Sequence, residues 1–294
     1  MTTLPIETIH MFRKAWSKIE TNPIPHFLRN IIIVDTDEFI DKITNANEET
    51  VLELVSSIYS GDAYIFRNAI SKEKSEQIKK KVSDWSKSVP DEYREMLEGC
   101  QNYHTATKEA RGPKDGYVSL EHSYVFFRHN KDELGLFEAF DKYFEMVKII
   151  SGNEPNSYLT NTPKDGIIDR ITFIQYPVGY GKISTHFDPA RTQKLLVGSI
   201  FSQIGDDYYH GDNGFYLVDK YGKNIYLENL VTQGDFICAY PTMYHGVPLV
   251  TGEESEDANW DSTSGRWYVQ CYSPESHEVK DRLSAKPAKS TVDA

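Results

Sequence analysis

The chain has 294 residues, a formal charge of −12 and a pI near 5.2. That length suits one large domain or a domain with an appendage. The acidic balance argues against a broad nucleic-acid or anionic-membrane surface, since phosphates need clustered Lys and Arg. An acidic substrate stays open, because it needs only a local basic pocket. Cys100, Cys238 and Cys271 show no Cys-x-x-Cys spacing, which fits a reducing compartment rather than a disulfide framework. No apolar run reaches bilayer-spanning length, and the first residues lack a basic-then-apolar signal pattern. These features give the expectation of a cytoplasmic protein without membrane or nucleic-acid partners.

Taken in chain order, residues 5–21 have Ile9, Phe12 and Trp16 at helical spacing, closed by Pro23 and Pro25. A short buried strand is expected over 30–34 and a helix over 37–43. A stronger helix is expected over 48–59, with Gly61 past its end. A strand follows over 63–67. Ser71 can cap a helix over 72–85, whose Lys79, Lys80 and Lys81 read as a solvated face. Residues 101–116 are polar and read as a loop covering a pocket. A strand over 118–127 and an apolar-faced helix over 132–152 come next.

From residue 167 short strand-like runs recur between Gly, Asp and Asn: 168–176, 182–187, 194–201, 214–218, 224–227, 235–239, 247–250 and 266–272. Their even spacing predicts an α+β fold with a mainly β core, a jelly roll (double-stranded β-helix) with the N-terminal helices packed on one face. The domains expected are an N-terminal helical extension over 1–62, a jelly-roll domain with packing helices over 63–275, and a disordered tail over 276–294. The polar, acidic stretch 252–264 reads as an insertion between two strands.

The chemistry centres on His186-Phe187-Asp188. In a strand, side chains alternate faces, so His186 and Asp188 point the same way. An imidazole and a carboxylate so placed form two thirds of a 2-His-1-carboxylate facial triad, the ligand set of non-haem Fe(II) oxygenases. Two polar residues bonding to neighbours at a strand end is the plain alternative. His245, far downstream before Gly-Val-Pro, can supply the third ligand; by itself it also reads as a turn histidine. His210 reads as a surface-loop residue, and His104, His122 and His129 share no ligand spacing. On charge alone Arg111, Arg128, Arg170 and Arg191 could meet a substrate carboxylate.

The series Tyr176-Pro-x-Gly, His186-x-Asp188, Gly211-x-x-Gly214, Gly234-Asp235, His245-Gly-Val and Gly265-Arg266-Trp267 resembles the Fe(II)/2-oxoglutarate-dependent dioxygenases, in particular their prolyl-hydroxylase-like branch. The resemblance spans about residues 165–275. It departs from that branch in the longer gap between the distal histidine and the basic residue, for which the 252–264 stretch accounts if it is a loop. The resemblance implies Fe(II) held by His186, Asp188 and His245, with O2 and 2-oxoglutarate at the remaining positions. It assigns Arg266 to the distal carboxylate of 2-oxoglutarate and the Tyr176 hydroxyl to the same cosubstrate. The implied reaction hydroxylates an unactivated C–H bond while 2-oxoglutarate becomes succinate and CO2. Desaturation or ring closure are related outcomes. Halogenating members lack the carboxylate that Asp188 provides. A small-molecule substrate, such as an amino acid or specialised metabolite, is expected. The alternatives are a peptidyl hydroxylase on the same scaffold and a non-catalytic jelly-roll binding protein.

Overall fold

The computed structural model describes residues 6–20, 23–109, 117–253, 260 and 263–288. Of the five α-helices among the described residues, three open on a capping side chain. Helix α1 spans Ile6–Ile19 and buries Ile9, Phe12 and Trp16. Asp35 accepts hydrogen bonds from Asp37 and Glu38 N–H to open α2 (Thr36–Thr44), Asn47 accepts from Thr50 for α3 (Glu48–Tyr59), and Ser71 accepts from Lys74 for α4 (Lys72–Ser86). Helix α5 (Leu136–Ile150) begins four residues later than expected because the Asp132 carboxylate accepts from Leu136 and Phe137 N–H and so stands outside it.

The strands are β1 (Asn30–Asp35), β2 (Asp62–Arg67), β3 (Tyr103–Thr107), β4 (Ser119–Phe127), β5 (Arg170–Tyr176), β6 (Lys182–Phe187), β7 (Leu196–Ile200), β8 (Tyr216–Val218), β9 (Asn224–Tyr226), β10 (Phe236–Ala239), β11 (His245–Val247), β12 (Arg266–Tyr272) and β13 (Lys286–Pro287). They form one curled sheet in the order β1-β2-β10-β7-β12-β5-β4-β6-β11-β8-β9, with β3 beside β4 and β13 beside β6. Strand β4 makes the turn of the curl. Its later residues pair with β5, while Ser119 and Leu120 pair with β6. The result is the expected jelly roll: a long wall ending in β12-β5-β4 faces a short wall of β6-β11-β8-β9.

Alternation sorts the side chains. Along β12, Arg266, Tyr268, Gln270 and Tyr272 line the cavity between the walls, whereas Trp267, Val269 and Cys271 enter the hydrophobic core. On the outer side, Phe140 of α5 packs against Phe173 and Phe201, and Tyr143 stacks on Phe236 at 4.1 Å. Helix α1 packs on α3 and α5, so the helices cover one face of the long wall.

Several expectations change. Residues 101–116 hold a strand, β3, rather than only a loop; 110–116 lie outside the described residues. Strand β11 starts at His245 rather than after it. Lys79 does not belong to a solvated face: it is buried and paired with Glu76 at 2.9 Å. Strand β1, assigned to the helical extension, pairs in parallel with β2 inside the sheet. Residues 276–288, expected as a disordered tail, are pinned by backbone bonds from Ser276 to Gly166 and from His277 to Met96, and by β13 against β6. Residues 289–294 and most of the 252–264 insertion lie outside the described residues. No helix among the described residues is long and apolar enough to cross a membrane.

One buried ionic cluster ties α5 to the sheet. Asp169, wholly buried, accepts from Lys148 at 2.7 Å, Arg128 at 2.9 Å and the Ser273 hydroxyl at 2.8 Å. Removing the shared anion leaves Lys148 buried without its partner, while Arg128 keeps Asp141 at 2.6 Å; stranding one buried charge typically costs about 3–5 kcal/mol. Asp169→Ala is therefore expected to lower unfolding free energy by that amount in denaturant titration. Glu48→Ala, which breaks a solvent-exposed pair with Lys14, should leave the denaturation midpoint essentially unchanged.

Candidate metal centre

Strands β6 and β11 run antiparallel, with His186 directly opposite His245. Their rings lie 4.3 Å apart between centroids. The Asp188 backbone N–H donates to Pro241 O at 2.9 Å, which holds the end of β6 against the approach to β11. His186, Asp188 and His245 each offer one ligand atom, and the three atoms lie within 4.8 Å of one another. His245 Nε2 is 3.6 Å from Asp188 Oδ2. Both histidines are buried and line the same cavity as Asp188.

The tautomers follow from the second nitrogens. His186 Nδ1 sits 2.8 Å from Ser184 O, and His245 Nδ1 sits 2.8 Å from Met243 O. A carbonyl oxygen only accepts, so each Nδ1 carries the proton and each Nε2 keeps its lone pair. Two lone pairs and a carboxylate thus face one point in the cavity. Such second bonds are the usual support of a metal-bound histidine, fixing its ring and raising its basicity. Tyr117 stacks on His186 at 5.0 Å and Phe215 flanks His245. The donor set fits a divalent first-row metal with open positions on one side.

Burial, followed by the neighbouring His245, pushes the His186 pKa down to about 4. For Asp188, burial works upward, but hydrogen bonding and charge from His245, then His186 and Arg170, hold it below the usual carboxylate range. Both residues are thus in the form a metal needs at neutral pH.

The cavity holds about 390 Å³. At one end Arg266, opening β12, is 1% exposed and lies between the rings of Tyr176 and Tyr268. Its Nε donates to Glu228 Oε1 at 2.6 Å. Nη2 lies 2.5 Å from the same oxygen, so the guanidinium edge is held against Glu228 as a buried ion pair. Glu228, wholly buried, also accepts from the Tyr208 hydroxyl and from Phe215 N–H. Gly214 leaves the room it needs: a Cβ there would meet Glu228 Oε2 at 2.0 Å, and the backbone has φ +78°. Tyr176 is buried beside Arg266, its cross-strand partner in the same wall, where burial and then the charge of nearby Glu121 push its pKa well up.

Of the other residues singled out in the sequence, His104 and His122 bond to each other at 2.9 Å, and His129 bonds to Cys100 O; none joins the centre. His210 is exposed. All three cysteines are buried free thiols. Glu228 and Tyr208 carry no signal in the sequence, since nothing local links them to an arginine 38 residues downstream of the glutamate.

No protein-family model and no curated protein matches the chain. Among solved structures it is similar to a full-length Neurospora crassa protein in complex with alpha-KG, at 13% identity and TM-score 0.45, over 83% of this chain and 85% of that one. It is also similar to JOX2 in complex with 2OG, Fe and JA, at 11% identity and TM-score 0.48, over 94% and 86%. A Pseudomonas putida prolyl-4-hydroxylase matches at 10% identity and TM-score 0.42, over 76% and 97%.

The His186 shift makes a pH prediction. Its folded pKa lies below the unfolded value near 6.5, so the unfolded chain binds the extra proton first as pH falls. Stability is expected to be full above pH 6.5 and to decline toward pH 4, by about 3 kcal/mol from this group. Asp188, also depressed, acts in the same direction at still lower pH. Denaturant melts of chelator-treated protein between pH 7 and 4 should show the decline, and His186→Phe should flatten it.

Proposed function

We propose that this chain is an Fe(II)/2-oxoglutarate-dependent oxygenase that hydroxylates an unactivated C–H bond of a small-molecule substrate, converting 2-oxoglutarate to succinate and CO2. The observation that carries the reading is the convergence of the His186 and His245 Nε2 lone pairs with the Asp188 carboxylate on one side of the cavity.

His186, Asp188 and His245 would hold the metal. Bound there, Fe(II) with 2-oxoglutarate supplies the oxidising power for C–H hydroxylation. The chain's own residues do the rest. The carbonyls of Ser184 and Met243 hold both imidazoles in the Nε2-acceptor tautomer. Arg266 offers its guanidinium to the distal carboxylate of the cosubstrate, while Glu228 and, through it, Tyr208 hold that guanidinium in place. Because Glu228 already balances the Arg266 charge, the arginine acts through directed hydrogen bonds more than through net attraction. Tyr176, kept protonated by burial and by nearby Glu121, walls the cosubstrate end and packs on Arg266. The surrounding tyrosines exclude water from that end, as oxidative chemistry requires.

Anaerobic addition of Fe(II) and then 2-oxoglutarate should produce the visible metal-to-ligand charge-transfer band. His186→Ala and Asp188→Ala should abolish both the band and 2-oxoglutarate-dependent succinate release. Arg266→Met should weaken 2-oxoglutarate by about 10–100-fold, the worth of a charge-assisted hydrogen bond. A wild-type protein that forms no band and releases no succinate would refute the reading.

A further inference from the structure

Strands β5 and β12 carry an arginine at opposite ends of the cavity. Arg266 pairs with Tyr176 and Tyr272 pairs with Arg170, so six residues, or about 20 Å of strand, separate the two cations. The Arg266 end is closed: Arg266, Glu228, Tyr176 and Tyr208 are all buried. The Arg170 end opens to solvent, where Tyr93 and Leu283 line the cavity and are 46% and 38% exposed. Asp188 faces the interval between, since its charge acts on Tyr268, Tyr272 and Arg170.

The buried cations among the described residues have anions, whereas Arg170, half-buried at the cavity, does not. Arg128 and Lys148 have Asp169, Arg266 has Glu228 and Lys79 has Glu76. Arg170 has no ion pair among the described residues. Its Nε is buried without a hydrogen-bond partner, and the acceptor found for Nη1 is the Met96 sulphur at 3.7 Å. Burial, and then the nearby Arg282, act to lower its pKa, so a second cation stands close by. Arg282 donates Nε to the backbone oxygen of Glu275, whose carboxylate is taken by Arg191. Two guanidiniums at a cavity mouth, neither paired to a carboxylate among the described residues, make a place suited to an anion. The arginines singled out on charge thus separate: Arg128 and Arg191 are spent on aspartates and glutamate, and Arg111 lies outside the described residues.

We propose that Arg170, flanked by Arg282, anchors a carboxylate of the primary substrate at the open end of the cavity, across the metal centre from Arg266. The inference rests on the oxygenase reading and adds the substrate's class: a carboxylic acid that presents its carboxylate outward and its aliphatic or aryl portion toward His186, Asp188 and His245. The planar fork of Arg170 suits a bidentate carboxylate, and Tyr103 and Tyr272 beside it offer further polar and apolar contact.

The test uses the metal-free full chain and three acid–amide pairs: octanoate, 3-phenylpropanoate and N-acetyl-L-leucine, each against its primary amide. Binding is followed by thermal shift and calorimetry. At least one acid is expected to bind about tenfold or more tighter than its amide, a preference that falls to about twofold or less in Arg170→Met. Arg170→Lys, which keeps charge and loses the fork, should lie between. Because Arg170 lacks a paired anion, Arg170→Met without ligand should melt at or above the wild-type temperature. In parallel, 2-oxoglutarate affinity of the Fe(II)-loaded protein should be unchanged by Arg170→Met. No acid preference in any pair, a preference that survives in Arg170→Met, or a lowered melting temperature of that variant overturns the proposal. Loss of 2-oxoglutarate affinity in Arg170→Met also overturns it, since the arginine would then serve the cosubstrate. Absence of the charge-transfer band in wild type removes the oxygenase reading instead, and the metal-free binding data still decide on the anion site.

Discussion

The site depends on two hydrogen bonds from imidazole to backbone. His186 Nδ1 to Ser184 O and His245 Nδ1 to Met243 O each span only two residues, so the chain just before each ring fixes its proton. The pairing of His186 with His245 across β6 and β11 then does the remaining work, bringing two lone pairs to one point from residues 59 apart. Asp188 needs no separate device, because strand alternation turns it to the face of His186 and its N–H is held by Pro241 O. Were either imidazole free to rotate, the centre would lose the shared direction that makes it a ligand set.

Charge accounting gives the cavity its polarity along its length. The closed end spends its cation on Glu228; the open end leaves Arg170 and Arg282 without a paired anion among the described residues. In water these differences would be slight, but burial makes an unpaired guanidinium costly and a specific partner correspondingly favourable. The net acidity of the chain sharpens the contrast. With 44 acidic against 32 basic residues, carboxylates are plentiful in the chain, yet none among the described residues is paired with Arg170 or Arg282 at the cavity.

The sequence carries the periodic parts of this structure. Helices with caps at Asn47 and Ser71, and strands bounded by glycines, fall close to their expected limits because their signals are local. Local signals also put His186 and Asp188 on one face. Strand β3 is hidden because its cavity-facing residues Tyr103, Thr105 and Thr107 are largely polar, so no apolar alternation marks it. Strand β11 begins two residues before the apolar run that marks it, since its first member is His245 and Pro248 closes the ladder. Lys79 looks like a surface residue in the sequence because its burial depends on Glu76 and on what α4 packs against, not on the run of lysines. The tail after 275 is unreadable for the same reason: its order comes from single backbone bonds to Gly166 and Met96. Glu228 behind Arg266 and the isolation of Arg170 are properties of the assembled cavity, and no spacing in the chain encodes either.

The account stands on a ferrous ion among His186, Asp188 and His245. The most direct measurement is anomalous diffraction at the iron edge from crystals loaded anaerobically with Fe(II). A single peak is expected within bonding distance of His186 Nε2, His245 Nε2 and an Asp188 carboxylate oxygen. A peak elsewhere, or one bonded through either Nδ1, would contradict the central claim.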